Sequence, residues 1–519
     1  MTCALNLFFL LLSVTGSALA LPRVNLWGLC FFCLIPFFYV LDRAGSISKT
    51  LFYGLSWGLG LAFALGYWVF FAVLHQYEVP FAKSLLFFFL CVVVPNAGIY
   101  AGFALVCRFF RRNSLFFYAL VIPSVWVMME YAKVVAPFLI PWGGLDIALV
   151  GFPEFVQIAD ITGAYGVIWI ATAVNALILF CLKNILAFYR DRQEKALAGA
   201  GLSLVIAGLL IAMPVVYGRH QLQSVHASIS PLLENPDHLM HATLVQGNFS
   251  TKERWSGMGF YQRVLRYLET SGDKGQAGRR VIVWPENTLN VSSKLDDALF
   301  IELMRGIGED ALLISGGLKA DADSGEVFNS AYFISGAGRL MRYDKHILLP
   351  YAETSPLIDL LDAYYTAPSE FSAGKTPLCI DSPTGPVGAS ICFEILYPGL
   401  ICQSVRAGAR YLVNLSNDSW FGDSPMPWVH LNAARLRAIE NRRFLLRAST
   451  SGISAVIGPD GHPAVQSRLF VQERVDGDFV MLDHLSFYTR YGDWVILASV
   501  GIILISLVRL VLRDEKGDS

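Results

Sequence analysis

The chain has 519 residues, of which 55% are hydrophobic and only 16% are charged. Because soluble domains usually carry about 25% charged residues, this composition excludes a protein that is soluble throughout. The formal net charge is −1, so no basic excess predicts a nucleic-acid partner. Charges are scarce in the first 217 residues and ordinary in 218–493, which predicts two parts of different class.

Seven long apolar runs fill the first part of the chain, and an eighth follows the second part. A helix needs about 20 mostly apolar residues to cross a bilayer. We therefore predict a bundle of seven spans in 1–217, and a final span with a short cytoplasmic tail in 494–519. The spans are predicted near 4–21, 24–41, 51–74, 84–107, 115–132, 161–182, 197–217 and 494–512. Prolines and glycines interrupt the apolar stretch 134–160, which predicts a re-entrant or interfacial segment.

Basic residues in the loops predict the orientation of the bundle, because cytoplasmic loops are enriched in Lys and Arg. One set of loops, together with the tail, holds eleven of them. The short loops on the opposite side hold only Arg23, Lys83 and Lys133. The richer set is expected to be cytoplasmic, which places the globular part 218–493 on the outer side of the membrane.

The first apolar segment has two interpretations. The string Ala18-Leu19-Ala20 resembles the cleavage site of a signal peptide. No basic residue precedes the apolar run, however, and this favours a span that is retained. Either outcome leaves the globular part on the same side, since the remaining loop charges still fix it.

The cysteines of the globular part predict neither a metal site nor a disulfide framework. Only Cys379, Cys392 and Cys402 of the nine cysteines lie there, and they form no CxxC pair and no metal-ligand spacing. We therefore expect no metal and no cofactor.

Short apolar strands alternate with amphipathic helices in 218–493. Strands are predicted at 242–245, 281–284, 311–315, 330–334, 387–391, 411–415 and 453–457, and helices at about 258–270, 294–306, 398–408 and 429–446. This alternation is typical of an α/β domain with a central sheet. Functional groups in such domains gather at the ends of strands.

Three strand ends carry reactive side chains. Glu286 directly follows a buried strand, where partial desolvation suits a carboxylate to general-base catalysis. Lys345 is placed to stabilise an oxyanion or a thiolate. Cys392 lies at a strand end before a predicted helix, whose N–H groups favour a thiolate. Taken singly, these residues have plainer interpretations: a turn or capping glutamate, a solvated lysine and an inert core cysteine.

In this order, Glu286, Lys345 and Cys392 resemble the catalytic set of the nitrilase, or carbon–nitrogen hydrolase, superfamily. The closer resemblance is to the apolipoprotein N-acyltransferases, its membrane-embedded branch, and it covers nearly the whole chain. Besides the spans, it is carried by the strings Val245-Gln246-Gly247-Asn248, Trp284-Pro285-Glu286, Tyr343-Asp344-Lys345, Ile391-Cys392-Phe393-Glu394 and 414–422, and by 435–440.

The resemblance implies an α-β-β-α sandwich and a bacterial inner-membrane enzyme whose catalytic domain is periplasmic. Cys392 is then the nucleophile, Glu286 the base and Lys345 the stabiliser of the oxyanion, with Glu353 and Glu394 in support. The residues it assigns to substrate binding are Trp255, Trp420, Trp142 and Phe393.

The implied reaction moves a fatty acyl chain from a membrane phospholipid, through a thioester on the cysteine, to an apolipoprotein. The acceptor is the α-amino group of its N-terminal diacylglyceryl-cysteine.

The chain departs from the family pattern at two places. Phe393 follows the nucleophile where the family usually has tyrosine, which removes a hydroxyl group. The family's Gly-Glu-Tyr/Phe-Val-Pro around the second glutamate is replaced by Ala352-Glu353-Thr354-Ser355-Pro356. These changes bear on a hydrogen bond and on the local backbone, and leave the three catalytic positions intact.

Two other functions are compatible with parts of this pattern. A membrane-anchored amidase or nitrilase would use the same residues with water as acceptor, but one anchor would suffice for soluble substrates. A channel or transporter with an accessory domain would need ionisable residues in its spans. Few occur there, Glu130 being an exception.

Overall fold

The protein is described from a computed structural model that covers residues 3–76, 78–136, 138–192, 194–249, 260–272, 279–291, 303, 307, 311–321, 323–354 and 371–517. The chain divides into two compact units. The first, which we call the membrane unit, comprises Met1–Leu74, Glu78–His220 and Asp493–Ser519, and the second, the globular unit, comprises His75–Tyr77 and Gln221–Gly492. The boundaries predicted after 217 and after 493 lie near these divisions.

Seven helices within the described ranges are long and apolar enough to cross a membrane. They are Cys3–Ala20, Ile47–Gln76, Phe81–Phe110, Phe117–Val135, Ala159–Arg190, Glu194–Leu233 and Trp494–Leu512. Two of them contain a π-helical turn, at Phe89–Val93 and at Phe117–Val121. A proline follows each turn within two residues and cannot donate a backbone hydrogen bond, which explains the wider turn. The predicted multi-span bundle is confirmed.

The span predicted at 24–41 is not a single helix. A 3₁₀ turn at Trp27–Phe31 is followed by a separate short helix, Ile35–Asp42, which has proline in its first turn. Neither piece reaches the length needed to cross a bilayer alone. The stretch 134–160 also contains short helices, Leu145–Leu149 and Pro153–Val156, on either side of a turn.

Small residues bring two of the spans into close contact. A Cβ atom at Gly58 would lie 2.8 Å from the Cα of Ala97, and one at Gly54 would lie 2.8 Å from the Cα of Ala101. The helices Ile47–Gln76 and Val94–Phe110 therefore meet backbone to backbone, as small residues allow in membrane bundles.

The globular unit contains twelve strands in the described residues. They are β1 Met240–Gln246, β2 Arg280–Val291, β3 Ala311–Ala320, β4 Val327–Ser335, β5 Leu340–Asp344, β6 Cys379–Ser382, β7 Gly385–Ile391, β8 Tyr411–Ser416, β9 Leu445–Ser449, β10 Ala455–Ile457, β11 Pro463–Gln466 and β12 Glu473–Phe479. They form two six-stranded sheets of order β12-β1-β2-β3-β4-β5 and β11-β10-β9-β8-β7-β6. β1, β2 and β3 are parallel neighbours in one sheet, and β7, β8 and β9 in the other.

The two sheets pack on each other and helices cover their outer faces. β2 contacts β8 and β9 across the sandwich. The helix Phe260–Ser271 packs on β1 and β2, whereas Pro398–Arg406 and Met426–Asn441 pack on the second sheet. The predicted α-β-β-α sandwich is confirmed, and it brings the ends of parallel strands from both sheets together.

The helix predicted at 429–446 is wrong at its end. The helix Met426–Asn441 stops because Arg442 adopts a left-handed φ of 50°, and β9 begins shortly afterwards. The strands β5, β6, β9, β11 and β12 lie outside the seven strand ranges predicted from the sequence. The helix predicted at 294–306 lies, except for Leu303, outside the described residues.

We predict that Gly58→Ala destabilises the membrane unit, because the new methyl group would overlap the backbone at Ala97. Overpacking of this kind costs about 1–3 kcal/mol, which lowers the melting temperature of the detergent-solubilised protein. Gly98→Ala is the matched control on the facing helix, where a Cβ atom meets nothing within 4 Å. Equal melting temperatures for the two variants would contradict the close approach.

Candidate active site

The structure places the three reactive residues where strands of the two sheets end or distort. Glu286 lies in a distortion of β2, whose pairing with β3 shifts register between Trp284 and Leu289. Gly316 of β3 makes this distortion possible, because a Cβ atom there would lie 2.5 Å from the Cα of Glu286. Lys345 directly follows β5, and Cys392 directly follows β7.

Cys392 occupies a sharp turn between β7 and a short 3₁₀ helix, Cys392–Leu396. Its φ is 54°, in the left-handed region that costs a non-glycine residue about 1 kcal/mol or more. The turn is held from outside, because Asn414 donates a hydrogen bond to the Cys392 carbonyl at 3.3 Å. The left-handed residue turns the chain sharply from the strand into the short helix. Such a turn is a suitable position for a nucleophile.

The thiol of Cys392 is mostly buried and needs a base. Burial raises its pKa, the Glu286 carboxylate raises it further, and the Lys345 ammonium opposes both effects. The thiol is therefore protonated at neutral pH, and the thiolate forms only when a neighbouring group takes the proton.

The ammonium group of Lys345 lies among carboxylates. Its Nζ is 2.9 Å from Oε1 and 2.8 Å from Oε2 of Glu353, and 3.8 Å from Oε1 of Glu286. The lysine side chain is 1% exposed. Burial disfavours its charge, but Glu353 and Glu286 more than offset this and raise the pKa of Lys345. The lysine is thus a permanent buried cation.

Asn329 of β4 joins the two glutamates, and the sequence analysis missed it. Its Nδ2 donates to Oε1 of Glu286 at 2.8 Å and to Oε1 of Glu353 at 2.9 Å. The available signal was an amide side chain in the otherwise apolar run around the predicted strand 330–334. Polar side chains in buried strands need partners, and here the partners are catalytic candidates.

Glu394 links the loop of the lysine to the turn of the cysteine. Its Oε1 accepts from the N–H groups of His346 at 2.7 Å and Ile347 at 3.0 Å. Its Oε2 accepts from the N–H of Ile391 at 2.7 Å and from the Tyr343 hydroxyl at 3.0 Å. Burial raises the pKa of Glu394 to about 7, against the opposing effects of Lys345 and the backbone donors. Four donors converge on this carboxylate, which makes it a positioning group.

A second buried network supports the turn from behind. Arg447 donates to Oδ1 of Asn414 and, at 2.7 Å, to Oδ2 of Asp418. Burial acts against the charge of Asp418, but Arg447 holds the pKa of this carboxyl well below its usual range. Burial lowers the pKa of His430, which lies 3.4 Å from Asp418 and is neutral at pH 7.

The remaining predicted residues are distributed over both units. Phe393 is buried and meets Tyr397 edge to face, with ring centroids 4.9 Å apart. Trp420 is partly exposed in the 3₁₀ turn Asp418–Phe421 that follows β8. Trp142 belongs to the membrane unit and meets Trp68 at a centroid distance of 4.9 Å. Trp255 lies outside the described residues.

A pocket opens beside Glu286 in the globular unit. Its empty volume is about 330 Å³, and it is lined by Phe249, Arg263, Tyr267, Glu286, Asn287, Thr288, Asn417, Ser419 and Thr450. The walls combine two aromatic rings with polar groups and one guanidinium. Glu286 thus faces Lys345 in the interior and a small open space on its other side. The described residues contain no cluster of His, Cys, Asp and Glu side chains suited to a metal ion.

Two family profiles and several curated proteins are similar to this chain. The profile of the carbon–nitrogen hydrolase family matches residues 241–475, and that of the apolipoprotein N-acyltransferase N-terminal domain matches residues 15–177. The apolipoprotein N-acyltransferase of Geobacter metallireducens is 28% identical over 95% of this chain and 94% of its own. That of Methylococcus capsulatus is 27% identical over 96% of each chain.

The chain is similar to apolipoprotein N-acyltransferases over nearly its whole length. The carbon–nitrogen hydrolase profile falls within the globular unit and contains Glu286, Lys345 and Cys392, whereas the other profile falls, apart from residues 75–77, within the membrane unit. Among solved structures, Saccharomyces cerevisiae Nit3, a member of branch 10 of the nitrilase superfamily, is similar to 47% of this chain over 90% of its own. The TM-score is 0.37 and the sequence identity 17%.

We predict that Glu394 makes stability depend on pH in a defined window. Because burial raises its pKa from 4.5 to about 7, folding takes up a proton between these values. This contribution favours the folded state below pH 4.5 and is lost as the pH rises through about 7. Melting temperatures of the wild type and Glu394→Gln, measured from pH 4.5 to 8, should differ in slope because glutamine does not titrate. Parallel slopes would contradict the shift.

Proposed function

We propose that this protein transfers a fatty acyl chain from a membrane phospholipid to the α-amino group of the N-terminal diacylglyceryl-cysteine of apolipoproteins. The proposal is supported by one observation above all. A buried thiol at a left-handed turn lies in one cluster with Glu286 and Lys345. The relatives that this chain matches over nearly their full length are named apolipoprotein N-acyltransferases.

The first half-reaction loads the acyl chain onto the enzyme. Glu286 takes the proton of the Cys392 thiol, and the thiolate attacks the ester carbonyl of the phospholipid. Lys345 stabilises the negative charge that develops on the carbonyl oxygen. The ester C–O bond then breaks, the proton on Glu286 goes to the departing oxygen, and a lysophospholipid leaves. The fatty acyl chain remains as a thioester on Cys392.

The second half-reaction delivers the chain to the acceptor. The amine of the diacylglyceryl-cysteine attacks the thioester carbonyl, and Glu286 removes a proton from its nitrogen. The C–S bond breaks, and the thiolate recovers a proton from Glu286. An amide forms and the enzyme returns to its starting state, so no cofactor is consumed in the cycle.

The membrane unit fits a reaction in which both substrates are anchored in the membrane by lipid chains. The seven candidate spans are far more than one anchor, which favours a membrane-bound donor over a soluble one. Loop charges favour a periplasmic position for the globular unit in a bacterial inner membrane. The partners we propose are therefore a phospholipid and a lipid-modified protein.

We predict that purified enzyme given phospholipid gains the mass of one acyl chain, and that Cys392→Ala does not. A synthetic diacylglyceryl-cysteine peptide should then remove the acyl chain from the enzyme and carry it on its amine, as intact-mass spectrometry would show. Loss of the acyl chain to water at the same rate with or without peptide would favour a hydrolase. Absence of any adduct on the wild type would contradict the acyltransferase proposal.

We predict that Lys345→Met slows formation of the acyl-enzyme, because the buried cation that stabilises the oxyanion is lost. Removing such a group lowers the rate by about 10²–10³-fold. Lys319→Met is the matched control, since Lys319 is on β3 of the same sheet and pairs with Asp321 at the surface. Acylation rates from single-turnover mass measurements should separate the two variants, and equal rates would argue against a catalytic lysine.

A further inference from the structure

We propose that Asn329 is a positioning residue that keeps Glu286 and Glu353 from sharing a proton through their facing Oε1 atoms and thereby sets the pH range in which Cys392 reacts. The inference deepens the proposed function and rests on the role given there to Glu286.

Asn329 is fixed by its backbone as well as by its side chain. It lies in β4 and is 1% exposed. Its carbonyl oxygen accepts from the N–H of Lys345 at 2.8 Å, while its Nδ2 donates to Oε1 of both glutamates. One residue therefore contacts the catalytic lysine and both carboxylates.

The chemistry of the amide determines which carboxyl oxygens take a proton. An amide nitrogen carries two hydrogens and only donates, so each oxygen that it contacts must present a lone pair. The reverse orientation of the amide would direct its oxygen at two carboxylate oxygens and is unfavourable. The two hydrogen bonds therefore disfavour a proton between the Oε1 atoms and leave Oε2 as the protonation site of each carboxyl group.

The two carboxylates need this restraint because they are close together. Both Oε1 atoms lie within hydrogen-bond distance of a single nitrogen. Like charges at such a separation favour sharing a proton, which would occupy the base. Lys345 supplies one positive charge for two negative ones, and it lies nearer to Glu353 than to Glu286. Glu286, which lies farther from the lysine, receives in addition one of the two Nδ2 hydrogens of Asn329.

The hydrogen bonds also assign different tasks to the two glutamates. Glu353 accepts from Lys345, from Asn329 and, at 2.8 Å, from the N–H of Leu349. These contacts fix the Glu353 carboxyl group against the lysine and orient it. Asn329 binds Oε1 of Glu286, which directs the proton from Cys392 to Oε2 of that carboxylate.

Other charged and titratable groups act on the same place and must be kept constant in a test. Glu286 faces Lys345, Glu353 and the Cys392 thiol in the interior, and shares its pocket with Arg263 and Tyr267. Glu394 also acts electrostatically on the Lys345 ammonium, and Asp418 acts on the Cys392 thiol. None of them is changed by substituting Asn329.

The experiment compares the pH dependence of Cys392 reactivity in the full-length, detergent-solubilised protein. Iodoacetamide would alkylate wild type, Asn329→Ala, Asn329→Asp and Ser330→Ala between pH 5 and 9, and the rate at Cys392 would be read by peptide mass spectrometry. Ser330→Ala is the matched control, because Ser330 is the next residue of β4 and binds Asp344 rather than a glutamate. Acyl-enzyme formation from phospholipid would be measured on the same samples.

We expect the acidic limb of the alkylation profile to move to higher pH by about one unit in Asn329→Ala, because two unshielded carboxylates share a proton. Asn329→Asp adds a third carboxylate and should move the limb further. Ser330→Ala should leave it in place even where its melting temperature falls. A limb that is unchanged in both Asn329 variants would overturn the inference, as would an equal movement in Ser330→Ala.

The two readouts separate this inference from the proposed function. If the wild type forms no acyl-enzyme but the alkylation limb still moves in the Asn329 variants, the acyltransferase proposal fails and the role of Asn329 stands. If acyl-enzyme forms and the limb does not move, the reverse holds.

Discussion

The site depends on one buried cation, the ammonium group of Lys345, between the carboxylates of Glu353 and Glu286. Taking such groups out of water costs several kcal/mol for each ion, which only close pairing and additional hydrogen bonds offset. Asn329, the N–H of Leu349 and the four donors around Glu394 supply these hydrogen bonds. The strands that carry these groups are therefore tied to one another by the same contacts that arrange the chemistry.

Cys392, the proposed nucleophile, is positioned by this arrangement through hydrogen bonds to the backbone of its turn. Its backbone is held in a left-handed conformation by Glu394 through Ile391 and by Asn414 through the carbonyl of Cys392. Asn414 is in turn held by Arg447, whose charge is balanced by Asp418. Two buried polar networks, one on each side of the turn, thus oppose the local cost of the conformation. A thiol that burial keeps protonated is placed beside a carboxylate able to receive its proton.

The two units obey different physical constraints. In the membrane unit, apolar side chains face outward and spans meet through small residues, as at Gly58 and Ala97. In the globular unit, apolar strands form the interior of a sandwich, and the buried charges of Lys345 and Arg447 are paired with carboxylates. Both constraints are satisfied within one chain, each in its own unit.

The class of the protein, most of its strands and the order of the three candidate site residues follow from the amino-acid sequence alone. Apolar runs long enough to span a bilayer and alternating strands and helices are local patterns, and they are written in adjacent residues. Glu286, Lys345 and Cys392 were predicted from their positions at strand ends and from their order along the chain, which are local features of the sequence as well.

The polar residues that surround these three side chains are defined by contacts between distant parts of the chain. In the sequence, Asn329 is one amide in a mostly apolar strand. In the structure it lies where β2, β4 and the loop at Glu353 meet, and it binds both glutamates. The linking role of Glu394 needs the loop after β5 to meet the turn after β7, and these loops are about 50 residues apart. Hydrophobic periodicity likewise did not predict that the helix ends at Asn441 or that 24–41 is divided into two short pieces. Hydrogen bonds between distant residues leave no local periodicity, and for that reason the sequence identified the reactive groups but not the network that positions them.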